Sequence, residues 1–368
     1  MTNVDELFAA VERGPEDVEL YRVLADALEQ AGDPCAPLAQ VQLASAHDAV
    51  VERKLIAARR RAVLGALDVP EVELAFRYGF IDHVRVRAPL APADMGKALA
   101  AVLAAPDARL VRWIAVVPCD YGRMTNPEPW GAYPDTIGRV LDPLAAGAAP
   151  RTLTTVVLGE AFARDRGFRV FDDPWPGLED DLSRVLDVFP TITDLTVDLG
   201  AVDLTWAPLV SERLRRFTWL SPCARASEVA TLAQSHLPAL EAFVLGAGAR
   251  YLANHYDDVG YDGLGGTLAR QACVGAEDLA PLFAMLDGCP RLRELGLPNC
   301  ASHLPSVLGE LGRHALLSRL AALDLSWTDF DAEDNAALAQ LVARVPAMSV
   351  TRQPAIGNPR FRYICTME

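Results

Sequence analysis

The sequence predicts an α/β protein built as a solenoid, with short parallel strands on a concave face and helices on a convex face. The first observation is an apolar frame near the C-terminus, which reads LRELGL at 292–297 and LAALDL at 320–325. The second is that degenerate copies of this frame recur upstream and downstream. The third is that Leu- and Ala-rich stretches with helical spacing precede several copies, as at 180–190, 277–290 and 334–346. Helix, turn and strand therefore alternate, and stacked units of this kind bury one continuous core.

Nine copies of the frame are present, and each predicts one strand. Their apolar positions are Ile81/Val84/Val86, Val111/Ile114/Val116, Leu153/Val156/Leu158, Ile192/Leu195/Val197, Leu214/Phe217/Trp219, Leu240/Phe243/Leu245, Leu292/Leu295/Leu297, Leu320/Leu323/Leu325 and Val345/Met348/Val350. The spacing ranges from 22 residues, between Ile192 and Leu214, to 52, between Leu240 and Leu292. The repeat is therefore irregular and carries long insertions. Because the chain is 51% hydrophobic, a single weak copy is also consistent with an ordinary buried strand.

The two regular copies, LRELGLPNC at 292–300 and LAALDLSWT at 320–328, resemble leucine-rich repeats. The resemblance implies that the three apolar positions of each copy point into a stacked core. It also implies that the residues between them line an open concave wall, which such proteins use for binding.

Residues 1–75 contain no copy of the frame and predict helices instead. We expect one helix at 4–11, one at 16–31 and a longer one from Pro37 to about Leu67. In the second, Leu20, Leu24 and Leu28 form one apolar stripe. Gly32-Asp33-Pro34 then ends the helix, because Gly suits a C-cap and Pro blocks continuation. This part of the chain is thus predicted to be a separate helical module.

The segments LYRVLADALEQAGDPCAPLAQVQLA (20–44) and FRYGFIDHVRV (76–86) resemble the bacterial repeat-companion domain. The matching residues are Arg22, Ala25, Asp26, Leu28, Glu29, Gly32, Asp33 and Pro34, followed by Gly79, Phe80, Ile81 and Val84. Ala27 and Tyr78 depart from that family's usual Trp and basic residue. The family has no established enzymatic activity, so the resemblance implies a helical cap at 1–75 followed by an irregular leucine-rich-repeat domain at 76–368.

Composition restricts the class of partner. The chain has 368 residues and a formal net charge of −15, which argues against nucleic acid and anionic membranes, since both bind clustered Lys and Arg. No apolar run long enough to span a membrane is present, and the first residues lack the pattern of a signal peptide. Lys54 and Lys97 are the only lysines, an Arg bias typical of GC-rich bacterial genomes. We expect a cytoplasmic bacterial protein that binds protein or peptide.

Motifs for catalysis, metals or cofactors are missing from the sequence. There is no GxSxG elbow, HExxH, P-loop or GxGxxG fingerprint, and the seven cysteines include no CxxC pair. The sequence therefore predicts no cofactor, no metal and no enzymatic activity. One polar loop, NHYDDVGYDG at 254–263, leaves an alternative open. His255 beside Asp258 is compatible with a hydrolase or a metal-dependent enzyme, although a partner contact is the favoured interpretation.

Candidate contact residues come from the strands and the insertions. On the predicted concave wall they are Arg85, Arg87, Trp113, Asp194, Asp198, Arg216, Glu294 and Asp324; in the insertions they are Trp130, Trp175, His255 and Asp258. The wall is thus expected to be basic at its N-terminal end and acidic beyond it, a polarity that steers a complementary partner. The leading hypothesis is a non-enzymatic interaction scaffold. Self-assembly into a homo-oligomer through the C-terminal end is the other alternative.

Overall fold

The computed structural model describes residues 4–46, 48–117, 136–145, 149–159, 179–198, 203–221, 224–247, 274–298, 304–326, 328 and 330–352. Within them the chain is a mixed α/β protein. Its α-helices are α1 (Val4–Arg13), α2 (Val18–Ala31), α3 (Ala36–Leu43), α4 (Ala49–Leu64), α5 (Pro92–Ala104), α6 (Thr136–Leu141), α7 (Val185–Val188), α8 (Ala226–Leu232), α9 (Ala276–Asp287), α10 (Leu304–Leu311) and α11 (Ala332–Arg344). Three 3₁₀ helices, η1 (Gly65–Leu67), η2 (Pro106–Leu110) and η3 (Ala315–Arg319), complete the helical part.

The strands form one large sheet and one small one. They are β1 (Val72–Arg77), β2 (Phe80–Arg87), β3 (Trp113–Val117), β4 (Thr155–Gly159), β5 (Glu179–Asp181), β6 (Asp194–Asp198), β7 (Asp203–Thr205), β8 (Arg216–Ser221), β9 (Ala242–Ala247), β10 (Glu294–Gly296), β11 (Ala322–Asp324) and β12 (Ser349–Thr351). The large sheet is mostly parallel and has the order β1-β2-β3-β4-β6-β8-β9-β10-β11-β12. Strands β5 and β7 pair separately. The α/β class and the parallel strands are confirmed.

The middle apolar residues of seven frames align with counterparts on neighbouring strands. Val84 of β2 pairs with Ile114 of β3. Leu195, Phe217, Phe243, Leu295 and Leu323 likewise lie in one row across β6, β8, β9, β10 and β11. These side chains are at most 1% exposed. Because side chains alternate along a strand, one register places every apolar row on the same face.

The ninth frame is displaced from its predicted position. Leu323 of β11 pairs with Val350 of β12, so Val350 occupies the middle position that the sequence assigns to Met348. The correct alignment lies two residues further along the chain. A shift of two leaves the same side chains on the same face, which is why the apolar pattern alone could not detect it.

The chain divides into two compact units, of which the first comprises 1–119, 139–156 and 187–192. Its α2 begins at Asp17, whose side chain accepts a hydrogen bond from the Glu19 amide, and ends at Gly32 with φ 69°. The single helix predicted from Pro37 to Leu67 is wrong. The chain leaves α3 at Ala44 and starts α4 at Asp48, whose carboxylate caps the new helix N-terminus.

Strand β1 was not predicted, and it begins inside the module expected to be helical. It pairs antiparallel with β2 through a two-residue turn at Tyr78 and Gly79, which have φ of 51° and 89°. A side chain at Gly79 would place its Cβ 2.7 Å from the Cβ of Ala39 on α3. Glycine therefore serves both the turn and the close approach of the helix.

The second unit comprises 120–138, 157–186 and 193–368. In it α10 packs against both α9 and α11, and α8 packs against α9. The helices predicted at 277–290 and 334–346 correspond to α9 and α11. The helix predicted at 180–190 is shorter, because the chain forms β5 first and then only α7. Among the described residues, none of the helices has the length and apolarity needed to cross a membrane.

Candidate functional site

The large sheet has a buried face and a face on which polar side chains are exposed. We call the second the outward sheet face; it carries the strand residues that lie between the apolar positions of each frame. The side chains of His83, Arg216 and Glu294 on this face are between 50% and 56% exposed to solvent. Polar groups on an exposed face keep their hydration, so a partner can reach them without unfolding the strands.

In the first unit, the predicted cations of this face have partners within the chain. Glu73 of β1 lies 3.7 Å from Arg85 and 3.2 Å from Arg87, measured between guanidinium nitrogens and carboxylate oxygens. Both contacts follow from the antiparallel register, which sets Glu73 opposite Arg85. The wall was expected to be basic at its N-terminal end, and there the unpredicted strand β1 supplies one counter-charge for two arginines.

The aromatic candidate Trp113 is also engaged within the first unit. Its ring packs on that of His83 with 5.3 Å between centroids, and the two residues are neighbours in the parallel register of β2 and β3. The His83 Nε2 lies 3.2 Å from an Asp82 carboxylate oxygen. Trp113 remains partly exposed, so the His83–Trp113 pair offers a small apolar surface beside the arginines of β2.

A hydrogen-bonded network next to this face connects β1 and β2 to the turn between α1 and α2. Arg112 donates two hydrogen bonds to Asp82, at 2.5 and 3.0 Å, and a third to Glu16. Arg77 also donates to Glu16, at 2.7 and 3.3 Å. The Arg77 hydrogen bonds, with the charge of Arg112, hold the pKa of Glu16 below its ordinary value. These charges are satisfied inside the unit and are structural.

The second unit presents a different arrangement, which we call the charge ladder: Asp194, Arg216 and Glu294. The Arg216 guanidinium lies 3.7 Å from Asp194 and 3.6 Å from Glu294. Asp194 and Arg216 are register neighbours on β6 and β8, whereas Glu294 lies two strands from Arg216. Ala242 occupies the intervening position on β9, and its small side chain lets the arginine reach across. One cation is thus shared between two carboxylates at the surface.

Small and polar residues surround the charge ladder. The next row of the face contains Thr196, Thr218, Val244 and Gly296, in register across β6, β8, β9 and β10. A Cβ at Gly296 would approach the Val244 side chain to 2.9 Å, so a larger residue here would force that side chain to move. Asp324 of β11 is partly exposed and accepts a hydrogen bond from the Ser326 amide at 2.9 Å. The surface beside the charge ladder is therefore formed mainly by small side chains and is bordered by carboxylates.

Of the remaining predicted contact residues, the structure describes only Asp198, and it is buried. Asp198 is only 6% exposed, and its carbonyl lies where a Cβ at Gly159 would stand, so it offers a partner little surface. The expectation that it faces a partner is corrected, because Asp198 is buried at the last position of β6. Trp130, Trp175, His255 and Asp258 lie outside the described residues, as does the insertion that suggested an alternative enzyme.

One cluster of titratable groups was missed in the sequence. His314 lies 2.9 Å from Asp287 through Nδ1 and 3.3 Å from Glu310 through Nε2. The other Asp287 oxygen accepts a hydrogen bond from the Leu316 amide at 2.6 Å. The spacing of Glu310 and His314, four residues apart on a helix end, was the available signal. Because these contacts join α9, α10 and η3, we assign the cluster to helix packing.

Chemistry based on metals or thiolates has little support in the described part of the chain. It contains no group of three or more His, Cys, Asp or Glu residues arranged to hold a metal ion. Burial raises the pKa of the Cys35 thiol strongly and that of Cys289 to about 11. Both thiols are therefore protonated at neutral pH and poor nucleophiles.

The chain matches no family model and no curated protein sequence. Among solved structures it is similar to a structural-genomics target from Bacteroides fragilis, with 21% sequence identity and a TM-score of 0.47. The similarity covers 70% of this chain and 62% of that protein, so the chain spans less than two thirds of the length of its structural relative.

Proposed function

We propose that this protein is a non-enzymatic binding scaffold of the leucine-rich-repeat type, which holds a protein or peptide on its outward sheet face. The observation that carries the proposal is the charge ladder, which stands on an exposed face with small neighbours. The in-register apolar rows support the repeat architecture, since each frame contributes one equivalent strand to the same core. The helices α1 to α4 are then the cap of the solenoid.

The geometry of the charge ladder allows its internal ion pairs to be replaced by ion pairs with a partner. Separations of 3.6 and 3.7 Å between exposed groups stabilise the fold weakly, because water and salt screen such pairs. Arg216 can therefore turn to a carboxylate of the partner at little cost to folding. Asp194, Glu294 and Asp324 would then accept basic groups of the same partner. Complementary charges of this kind set orientation and association rate more than total affinity.

The test is a comparison of three immobilised proteins in lysate of the organism that encodes the chain. The first is the wild type, and the second carries Asp194→Lys, Glu294→Lys and Asp324→Lys. The third carries Glu6→Lys, Glu29→Lys and Glu212→Lys, which make the same charge change at exposed positions elsewhere. Circular dichroism establishes that all three are folded, and quantitative mass spectrometry measures the retained proteins.

We expect at least one protein to be retained by the wild type and by the control variant, and to fall about tenfold or more with the outward-face variant. Direct titration of that partner then gives the loss of affinity. Identical retention by all three folded baits would eliminate the outward sheet face as the binding surface. Absence of any retained protein would count against the scaffold function itself.

A further inference from the structure

Helix α4 has an exposed side whose composition is unusual for this chain. Only Leu64 among its residues is buried, although the helix runs from Ala49 to Leu64. It contains Arg53, Lys54, Arg59, Arg60 and Arg61 against a single acidic residue, Glu52, in a protein of net charge −15. Helix α4 is thus a basic segment within an acidic chain.

The basic residues of α4 divide between two sides of the helix. Arg59 donates hydrogen bonds to the buried Asp107, and Arg60 to Asp68, so these two attach the inner side of the helix to its unit. Lys54 and Arg61 are exposed and, in the part of the chain that the structure describes, their side chains have no hydrogen-bond or ion-pair partner. Their spacing of seven residues places them on the same, outer side.

Two exposed valines lie next to these cations. Val50 is 54% exposed and Val51 39%, and they are two of the four large apolar residues that remain exposed among the described residues. The helical period places Val50, Lys54 and Arg61 in one line, with Val51 and Ala58 beside it. We call these five residues the α4 face. It combines uncovered apolar surface with unpaired positive charge.

We propose that the α4 face binds an acidic amphipathic segment of a partner protein. Carboxylates of such a segment would pair with Lys54 and Arg61, while its apolar side chains would cover Val50 and Val51. The site goes beyond the proposed scaffold function, because α4 lies in the helical module and not on the outward sheet face.

Charge complementarity favours an acidic protein segment over the other anionic partners. Lipid recognition by electrostatics uses clusters of about four to eight cations, and bulky aromatic or Leu side chains enter the interface. The α4 face has two unpaired cations and valines. Nucleic acid would meet the repulsion of a chain with net charge −15. A short acidic segment docks locally and avoids most of that repulsion.

The probe is a fluorescein-labelled helical peptide of repeating Glu-Glu-Leu-Leu units, titrated with the full-length protein in low salt and followed by anisotropy. A peptide of repeating Gln-Gln-Leu-Leu units tests the charge, and poly-glutamate tests the apolar contribution. Vesicles of phosphatidylserine and phosphatidylcholine, double-stranded DNA, and sedimentation of the protein alone test the three other occupants.

Two variants probe the face, and each has a matched control. Lys54→Glu with Arg61→Glu reverses its charge, and Arg213→Glu with Arg291→Glu makes the same change at exposed arginines of the second unit. Val50→Ser with Val51→Ser removes its apolar surface, and Val210→Ser changes another exposed valine. Thermal unfolding establishes that every variant keeps the fold.

We expect the acidic peptide to bind the wild type, and both α4 variants to weaken binding about tenfold, while both controls bind within about twofold of the wild type. Equal binding by the folded charge-reversal variant, or by the glutamine peptide, would overturn the proposal. Preferential binding of vesicles or DNA that the charge reversal removes would overturn it in favour of those partners. If the wild type forms a dimer and the charge-reversal variant does not, the face binds a second copy of the chain and the proposal is overturned.

Discussion

The outward sheet face carries arginines in both units, but the two units use them differently. In the first, Arg85 and Arg87 pair with Glu73, and Arg112 holds Asp82 through two hydrogen bonds. In the second, Arg216 is shared between Asp194 and Glu294, and its side chain is 56% exposed, against 32% for Arg85 and 29% for Arg87. The same residue type is therefore more enclosed in one region and more exposed to water in the other.

Burial and register explain the difference. Asp82 has a side chain that is 13% exposed, and its partner Arg112 is 23% exposed, so their hydrogen bonds are protected from water. In the charge ladder, Arg216 is 56% and Glu294 52% exposed, so water reaches the contact between them. Charged residues of similar appearance in the sequence thus differ in exposure according to the residues that surround them.

The largest effect is expected from removing the buried carboxylate of the first unit. Asp107 is 1% exposed and accepts hydrogen bonds from Arg59, so Asp107→Ala leaves a half-buried cation without its partner. We expect a loss of about 3 to 5 kcal/mol in the free energy of unfolding, measured with urea. Asp68→Ala, which removes the more exposed partner of Arg60, is the control and should cost much less. Equal small losses would show that burial of the pair matters little.

In the second unit we expect backbone packing, not charge, to dominate stability. Gly159 has φ 103°, and a Cβ there would stand 1.8 Å from the carbonyl oxygen of Asp198. Gly159→Ala should therefore destabilise the protein by about 2 kcal/mol or more. Gly309→Ala, on α10 with no atom within 4 Å of the new Cβ, should be neutral or stabilising by up to about 1 kcal/mol. A neutral Gly159→Ala variant would contradict the close contact.

The comparison is tested directly by paired substitutions on the two regions. Asp82→Asn weakens the protected hydrogen bonds to Arg112, and we expect a loss of about 1 to 3 kcal/mol in unfolding free energy. Asp194→Asn removes one member of the charge ladder and should change stability by less than about 0.5 kcal/mol. If the two losses were equal, the enclosed Asp82–Arg112 pair would contribute no more to stability than the exposed charge ladder.

The smallest effect concerns pH. The folded-state pKa of Glu16 is lowered, first by the hydrogen bonds from Arg77, so its stabilising contribution is present above the ordinary pKa near 4.5. That contribution is lost as pH falls through the lowered folded-state value. Glu16→Gln should therefore be slightly less stable than the wild type at pH 7, and the difference should vanish in acid. Thermal unfolding between pH 7 and pH 2 measures this, and a difference independent of pH would contradict it.

The sequence predicted nine strands of the large sheet. It did not predict β1, and therefore not the ion pairs that β1 forms with β2. Buried frame residues such as Phe217 and Leu295 were predictable, because period-two apolar spacing reports which face is buried. The register of the last frame was not, since a shift of two residues preserves that face. The exposure of Arg216 and Glu294 was predictable from alternation. The pairing of Arg85 with Glu73 was not, because it depends on which strand lies beside β2.

The break between α3 and α4 shows a second limit. No Gly or Pro marks the segment between Leu43 and Ala49, so the apolar and basic pattern read as one helix. The structure ends α3 at Leu43 and uses Asp48 to cap the next helix. As a separate helix, α4 has an exposed side of its own, which the prediction of one continuous helix did not reveal.

The Tyr78–Gly79 turn also determines where assembly of the sheet is easiest to start. Strand β1 ends at Arg77 and β2 begins at Phe80, whereas β3 begins only at Trp113. Closing the short hairpin costs little chain entropy and takes microseconds, while each parallel strand requires a longer crossover. We therefore expect the hairpin to form first and to serve as the template for β3, with later strands added in sequence. A chain leaving the ribosome would then complete its sheet in the order of its synthesis.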